Sequence, residues 1–129
     1  MLYTIDTHSL IWFLTENKKL GKKALKILEE TDQGKHIVII PTIVLAELLY
    51  LCENKDVKLD FKDFLNKLKE SFNYIPYSLD LNVILKSIEL KKLKDIHDRI
   101  IVATALSTNT KLITKDKLIK DTGYLDCIW

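Results

Sequence analysis

Ile37-Val38-Ile39-Ile40 is a β-branched run stopped by Pro41. A short, wholly apolar run of that kind reads as a strand buried on both faces, so it needs a layer of structure above and below it. Leu2–Ile5, Lys111–Thr114 and Leu125–Trp129 read as further short strands. Tyr74–Tyr77 is a weaker one, which Pro76 assigns to a sheet edge. Helical patterns fill the spaces between them. They cover Thr7–Thr15, Gly21–Glu30, a stretch from Thr42 as N-cap to about Asn54, and one opening at Asp60 with Phe61, Phe64, Leu65 and Leu68 on one face. Others cover Leu81–Leu93, Ile96–Ser107 and a small helix near Lys117–Lys120. The order β-α-α-β-α-α-β-α-α-β-α-β predicts an α/β fold, a three-layer α/β/α sandwich around a mostly parallel sheet. No repeat, low-complexity tract or linker divides the chain, so residues 1–129 are expected to form a single domain.

Composition removes several functional classes. The only glycines are Gly21, Gly34 and Gly123, so neither of the common glycine-rich phosphate loops can be written. Cys52 and Cys127 are too few and too far apart for a disulfide framework or a CxxC zinc site, and are expected to be reduced thiols. The net charge of +2 gives no overall field to recruit nucleic acid or membrane, and Arg99 is the only arginine. The most apolar segment, Ile37–Cys52, falls short of the roughly 20 residues that span a bilayer and contains Pro41 and Glu47. Asp6 and His8 interrupt any leader-like apolar stretch. A cytoplasmic protein is the expectation.

The carboxylates carry the chemistry. In open parallel α/β folds ligands sit beyond the carboxyl ends of the strands. Asp6 follows the Leu2–Ile5 strand and Asp116 follows Lys111–Thr114, so both point to one crevice if those strands are neighbours. Helix N-capping is the alternative use of either residue. Glu47 lies among apolar neighbours from Ile43 to Leu51, where an ionised carboxylate needs a cation partner, a raised pKa or a metal. Asp98 opens an apolar helix, where it suits the macrodipole and can pair with Arg99; Asp95 and His97 stand beside it. His8 and His36 are isolated, which argues against a histidine zinc site. Carboxylates brought together repel, by about 4 kcal/mol per pair at ~4 Å and an effective dielectric of ~20. A hard divalent cation relieves this, and an oxygen-only donor set favours Mg²⁺ or Mn²⁺, ions that activate water and shield phosphodiester oxygens in nucleases.

With these residues in view, the chain resembles a PIN domain of the VapC-type toxin ribonucleases. The resemblance rests on Asp6-Thr7-His8-Ser9-Leu10-Ile11-Trp12, Pro41 through Glu47-Leu48, and His97-Asp98-Arg99 running into Ala103-Thr104-Ala105. Leu112-Ile113-Thr114-Lys115-Asp116 and the closing Ile128-Trp129 complete it. It implies a five-stranded sheet in the order 3-2-1-4-5. It also implies that Asp6, Glu47, Asp98 and Asp116 are the acidic metal-binding positions, with Thr114 as a supporting hydroxyl. The activity implied is Mg²⁺- or Mn²⁺-dependent endonucleolytic cleavage of RNA, restrained by a small antitoxin protein. Arg99 and Asp95 are further supporting candidates. Lys91, Lys92 and Lys94, before Asp95, and Lys115 and Lys117, beside Asp116, are candidates for the substrate phosphates.

Two other classes compete. A non-catalytic PIN-like module that binds RNA or protein would be expected to have lost one of the four acids. A phospho-acceptor domain would want adjacent acids after the first strand, where Asp6 is followed by Thr7. The run Leu10-Ile11-Trp12-Phe13-Leu14 adds a partner surface, because five consecutive large apolar residues cannot share one helix face. With Leu10, Phe13 and Leu14 inward, Ile11 and Trp12 are left for a protein contact, either a homodimer seam or an antitoxin groove.

Overall fold

The computed structural model describes residues 1–129. Five strands, β1 (Leu2–Ile5), β2 (Ile37–Pro41), β3 (Tyr74–Tyr77), β4 (Lys111–Ile113) and β5 (Cys127–Ile128), form one sheet in the order β3-β2-β1-β4-β5. Every neighbouring pair is parallel, with Tyr3 opposite both Val38 and Lys111. This is the order implied by the resemblance. The strand order reverses at β1, so the crevice beyond the carboxyl ends of β1 and β4 is the switch point where such sheets hold ligands.

Seven helices cover the sheet: α1 (Thr7–Leu14), α2 (Lys22–Asp32), α3 (Thr42–Glu53), α4 (Phe61–Glu70), α5 (Leu81–Ile88), α6 (Ile96–Ser107) and α7 (Lys117–Thr122). The core lies where the predicted apolar runs meet. Ile5, Val38, Ile40, Leu112 and Ile113 are fully buried on the strands, and Ile100–Ala105 are buried on α6. The Thr4 and Thr110 hydroxyls share a buried 2.6 Å hydrogen bond, and no buried side-chain polar atom lacks a partner. β3 lies at the edge, as Pro76 required.

Several local readings are corrected. Thr42 does not cap α3. Its hydroxyl accepts the Leu79 N–H at 3.0 Å, while Pro41 occupies the capping position without a side-chain bond. α5 ends at Ile88 rather than Leu93. Beyond it the N–H groups of Leu90 and Leu93 bond three residues back, and both side chains are buried as anchors of a non-helical turn. α1 turns differently from the expected face: Ile11 is only 7% exposed and is withdrawn from any partner, while Trp12, Phe13 and Leu14 are half-buried. A rotation of roughly 100° per residue lets neighbours Leu10 and Ile11 both reach the interior of an eight-residue helix.

Trp12 also meets a neighbour far away in sequence. Its ring packs edge-on against Trp129 with centroids 5.8 Å apart. Trp129 in turn lies so close to Gly21 that a Cβ there would stand 2.6 Å from the Trp129 carbonyl carbon and 2.7 Å from its ring. Glycine at the start of α2 is therefore a steric requirement of this docking.

Candidate active site

Each acidic candidate is placed by a local rule of backbone chemistry. Asp6 leaves β1 in extended conformation and caps α1, its Oδ1 accepting the Ser9 N–H at 3.0 Å. Asp116 caps α7 through the N–H groups of Leu118 (2.8 Å) and Ile119 (3.4 Å). Asp95 caps α6 through those of His97 (2.7 Å) and Asp98 (3.3 Å). The two uses weighed for Asp6 and Asp116 are thus combined, since the same residue closes a helix and faces the crevice. Three helix N-termini converge there, and their partial positive charge favours the acids.

Thr114 ties the first and last of these together. Its hydroxyl donates to Asp6 Oδ2 and accepts the Asp116 N–H at 3.0 Å. Glu47 comes from α3, and its Oε1 accepts the hydroxyl of the buried Thr7 at 2.7 Å. The apolar neighbours that made Glu47 conspicuous do not enclose it. It lies on a half-exposed helix face, so its setting is less costly than the sequence implied.

The acid under most strain is Asp98, in the first turn of α6. Burial chiefly, then the charges of Asp95, Asp116, Asp6 and Glu47, push its pKa up from 3.8 to about 6. Arg99 gives no relief, because its Nε donates to the Leu93 carbonyl and holds the turn before α6.

Asp6, Glu47, Asp95, Asp98 and Asp116 line one pocket of about 460 Å³, in which Lys115 is the only lysine or arginine. All the acid donors are hard oxygens, and beyond its burial Asp98 feels the charges of the other acids, so the donor set fits a hard divalent cation. The pocket is not a finished ion cage: no group of three or more His, Cys, Asp or Glu side chains stands close enough to hold an ion. Mutual repulsion, and the hydrogen bonds that Asp6, Glu47, Asp95 and Asp116 make to the protein, account for that spacing.

The basic candidates separate. Lys115 lines the pocket, with its Nζ 5.8 Å from the Trp12 ring. Lys92 is engaged elsewhere, donating to the Thr122 carbonyl at 3.2 Å and lying over Tyr124. Lys91 and Lys94 are exposed on the turn before α6, and Lys117 on α7, all outside the pocket wall. Sequence reasoning does not mark Thr7, His8, Ser9 or Trp12 as pocket residues, and it notes His97 only as a neighbour of Asp98; all five line the pocket. The available signal was contiguity: whatever follows Asp6 in the first turn of α1 stands beside it at the mouth of the crevice.

Residues 3–124 match the PIN domain family. Ribonuclease VapC22 of Mycobacterium tuberculosis is 24% identical over 118 residues, 90% of this chain and 88% of that protein. Among solved structures, VapBC2 from Rickettsia felis, bound to a DNA fragment from its promoter, superposes with a TM-score of 0.76 at 20% identity, covering 100% of this chain and 99% of that one. A toxin–antitoxin complex from Klebsiella pneumoniae gives a TM-score of 0.71 at 19% identity, covering 98% and 96%. These two likenesses concern the fold. The family match runs from within β1 to just past α7 and takes in every acid of the pocket; the chain belongs to the PIN domain family.

Proposed function

We propose that this protein is a VapC-type toxin, a single PIN domain over residues 1–129 that hydrolyses RNA phosphodiester bonds endonucleolytically with Mg²⁺ or Mn²⁺. The observation that carries this reading is the gathering of Asp6, Glu47, Asp98 and Asp116 from four separate elements into one pocket, where burial first, then Asp95 and the other three acids, push the pKa of Asp98 up. Side chains that cost so much to bring together are expected to serve a cation.

In this reading those four carboxylates hold the metal. When bound, the ion supplies an activated water and shields the phosphodiester oxygens. Thr114 and Thr7 aim Asp6 and Glu47 by their hydroxyl bonds, and Asp95 fixes the start of α6 from which Asp98 projects. Lys115 stands at the pocket wall to meet a phosphate oxygen.

A small antitoxin is the proposed partner, in keeping with the family resemblance and with the toxin–antitoxin complex among the similar structures. Trp12, at the pocket rim, is the residue of the α1 run left to touch an antitoxin or a second copy in a homodimer. No helix is long and apolar enough to cross a membrane, and a cytoplasmic site of action is proposed with the rest.

Cleavage of a labelled single-stranded RNA in EDTA, then after adding Mg²⁺ or Mn²⁺, tests the proposal. Activity is expected only with the ion, and Asp6→Asn is expected to lower it at least about a hundredfold, equivalent to about 2.7 kcal/mol of barrier. Parent-level cleavage by Asp6→Asn would overturn it. A stable, RNA-binding protein that never cuts would instead favour the non-catalytic module.

A further inference from the structure

A second groove, of about 440 Å³, lies beside the acidic pocket and shares Lys115 and Asp116 with it. It runs between the start of α2 and the Lys117, Lys120 and Asp121 face of α7, with Cys127 and Ile128 of β5 as its floor. Four lysines line it: Lys23 from α2, Lys115 from the turn after β4, and Lys117 and Lys120 from α7. All four are exposed, and none is within salt-bridge distance of a carboxylate. The lysine–carboxylate pairs of the molecule are on other elements, Lys67 with Asp63 on α4 and Lys86 with Glu89.

The four ammonium groups outnumber Asp116 and Asp121, the two carboxylates that line the same groove, and the excess cations repel one another in a chain whose net charge is only +2. A polyanion is the ligand that removes this repulsion, and each phosphate it brings releases counterions on binding. Two features favour a nucleic-acid strand over an acidic protein segment. The groove adjoins the acidic pocket at Lys115 and Asp116, which line both, so a strand lying in it has the acids beside its continuation. Its floor also presents the half-exposed Trp129 ring, a surface on which a base can stack.

We propose that this groove is the track for the single-stranded RNA flanking the scissile bond, with Lys23, Lys117 and Lys120 neutralising its phosphates. The inference rests on the ribonuclease reading above and adds Lys23, Lys120 and Trp129 to the residues that meet substrate.

The test uses full-length Asp98→Asn protein, to prevent cleavage, and a fluorescein-labelled single-stranded RNA of about 12 nucleotides followed by anisotropy over a range of KCl. Adding Lys23→Ala and Lys120→Ala is expected to weaken binding and to flatten the plot of log affinity against log salt by about 1.4, since each single-strand phosphate contact contributes about 0.7. Lys23→Arg with Lys120→Arg should restore the slope. Lys62→Ala with Lys69→Ala, which remove the same charge from α4, should leave it unchanged. An unchanged slope in the first pair, or an equal change in the α4 pair, overturns the track while leaving the ribonuclease reading standing. Absence of any RNA binding by Asp98→Asn overturns both. Unaltered RNA binding with lost binding of a polyglutamate peptide would make the groove a protein site and also overturns the track.

Discussion

The Thr114 hydroxyl donates to the Asp6 carboxylate across 108 residues of sequence, and the same oxygen accepts the Asp116 N–H. One small side chain therefore sets the spacing of acids that leave two adjacent strands, β1 and β4. Thr114 is 3% exposed, so its γ-methyl is packed and its hydroxyl has no solvent to turn to. Thr114→Val keeps the volume and removes the donor. A hydrogen bond to a charged group contributes about 1.5–3 kcal/mol, and urea unfolding should show a loss of that order. RNA cleavage should fall with it, and Thr114→Ser should recover most of both. Unaltered unfolding and cleavage in Thr114→Val would show that the tie is idle.

Asp98 makes metal-free stability depend on pH. Its folded pKa of about 6 lies above the ordinary 3.8, so the folded protein holds this proton more tightly than the unfolded chain does. Stability from this group is complete below about pH 4, declines as pH rises through about 6, and is flat beyond. Asp98→Asn removes the decline. In EDTA the variant should melt above the parent at about pH 8, and the gap should close by about pH 4. A gap of constant size across that range would contradict the assignment.

Divalent ions should act in the opposite sense. An ion that binds only the folded protein stabilises it by about 2.7 kcal/mol at a hundredfold excess over Kd. Protons compete for Asp98, so millimolar Mg²⁺ or Mn²⁺ should raise Tm more at about pH 8 than at about pH 5. The increment should shrink in Asp6→Asn. Calorimetric melts with and without the ion read this without reference to activity, and a Tm indifferent to both ions would remove the metal from the pocket.

Gly21→Ala tests the docking of Trp129. The added Cβ would meet the Trp129 backbone at 2.6 Å, and backbone yields less readily than a side-chain tip. Overpacking of this kind costs about 1–3 kcal/mol. Because Trp129 contacts Trp12, tryptophan emission should shift as well. A variant with the parent's stability and spectrum would mean that the last residues rearrange freely.

The sequence disclosed most where a local rule and the tertiary structure agree. The β-branched run at Ile37–Ile40 became an interior strand, and the helix expected to open at Asp60 is α4, with Asp60 as its N-cap. Asp6, Glu47, Asp98 and Asp116 were legible because carboxylates at strand ends or in apolar surroundings are conspicuous. The strand order came from the resemblance, since periodicity says nothing about which strands are neighbours. Other features depended on partners distant in sequence: Thr42 is taken by Leu79 and Arg99 by the Leu93 carbonyl. The inward face of α1 was misjudged for the same reason, because the rotation of a short helix is set by what packs over it.

The capping of α1, α6 and α7 by Asp6, Asp95 and Asp116 bears on how such a protein loses its chemistry over generations. Asparagine retains a side-chain oxygen and is as good an N-cap as aspartate, whereas alanine costs about 1 kcal/mol at such a position. A lineage released from selection for cleavage can therefore drift from aspartate to asparagine at these sites with its helix ends intact. On the proposed ribonuclease reading, inactivated copies should accumulate as well-folded proteins carrying amides in the crevice.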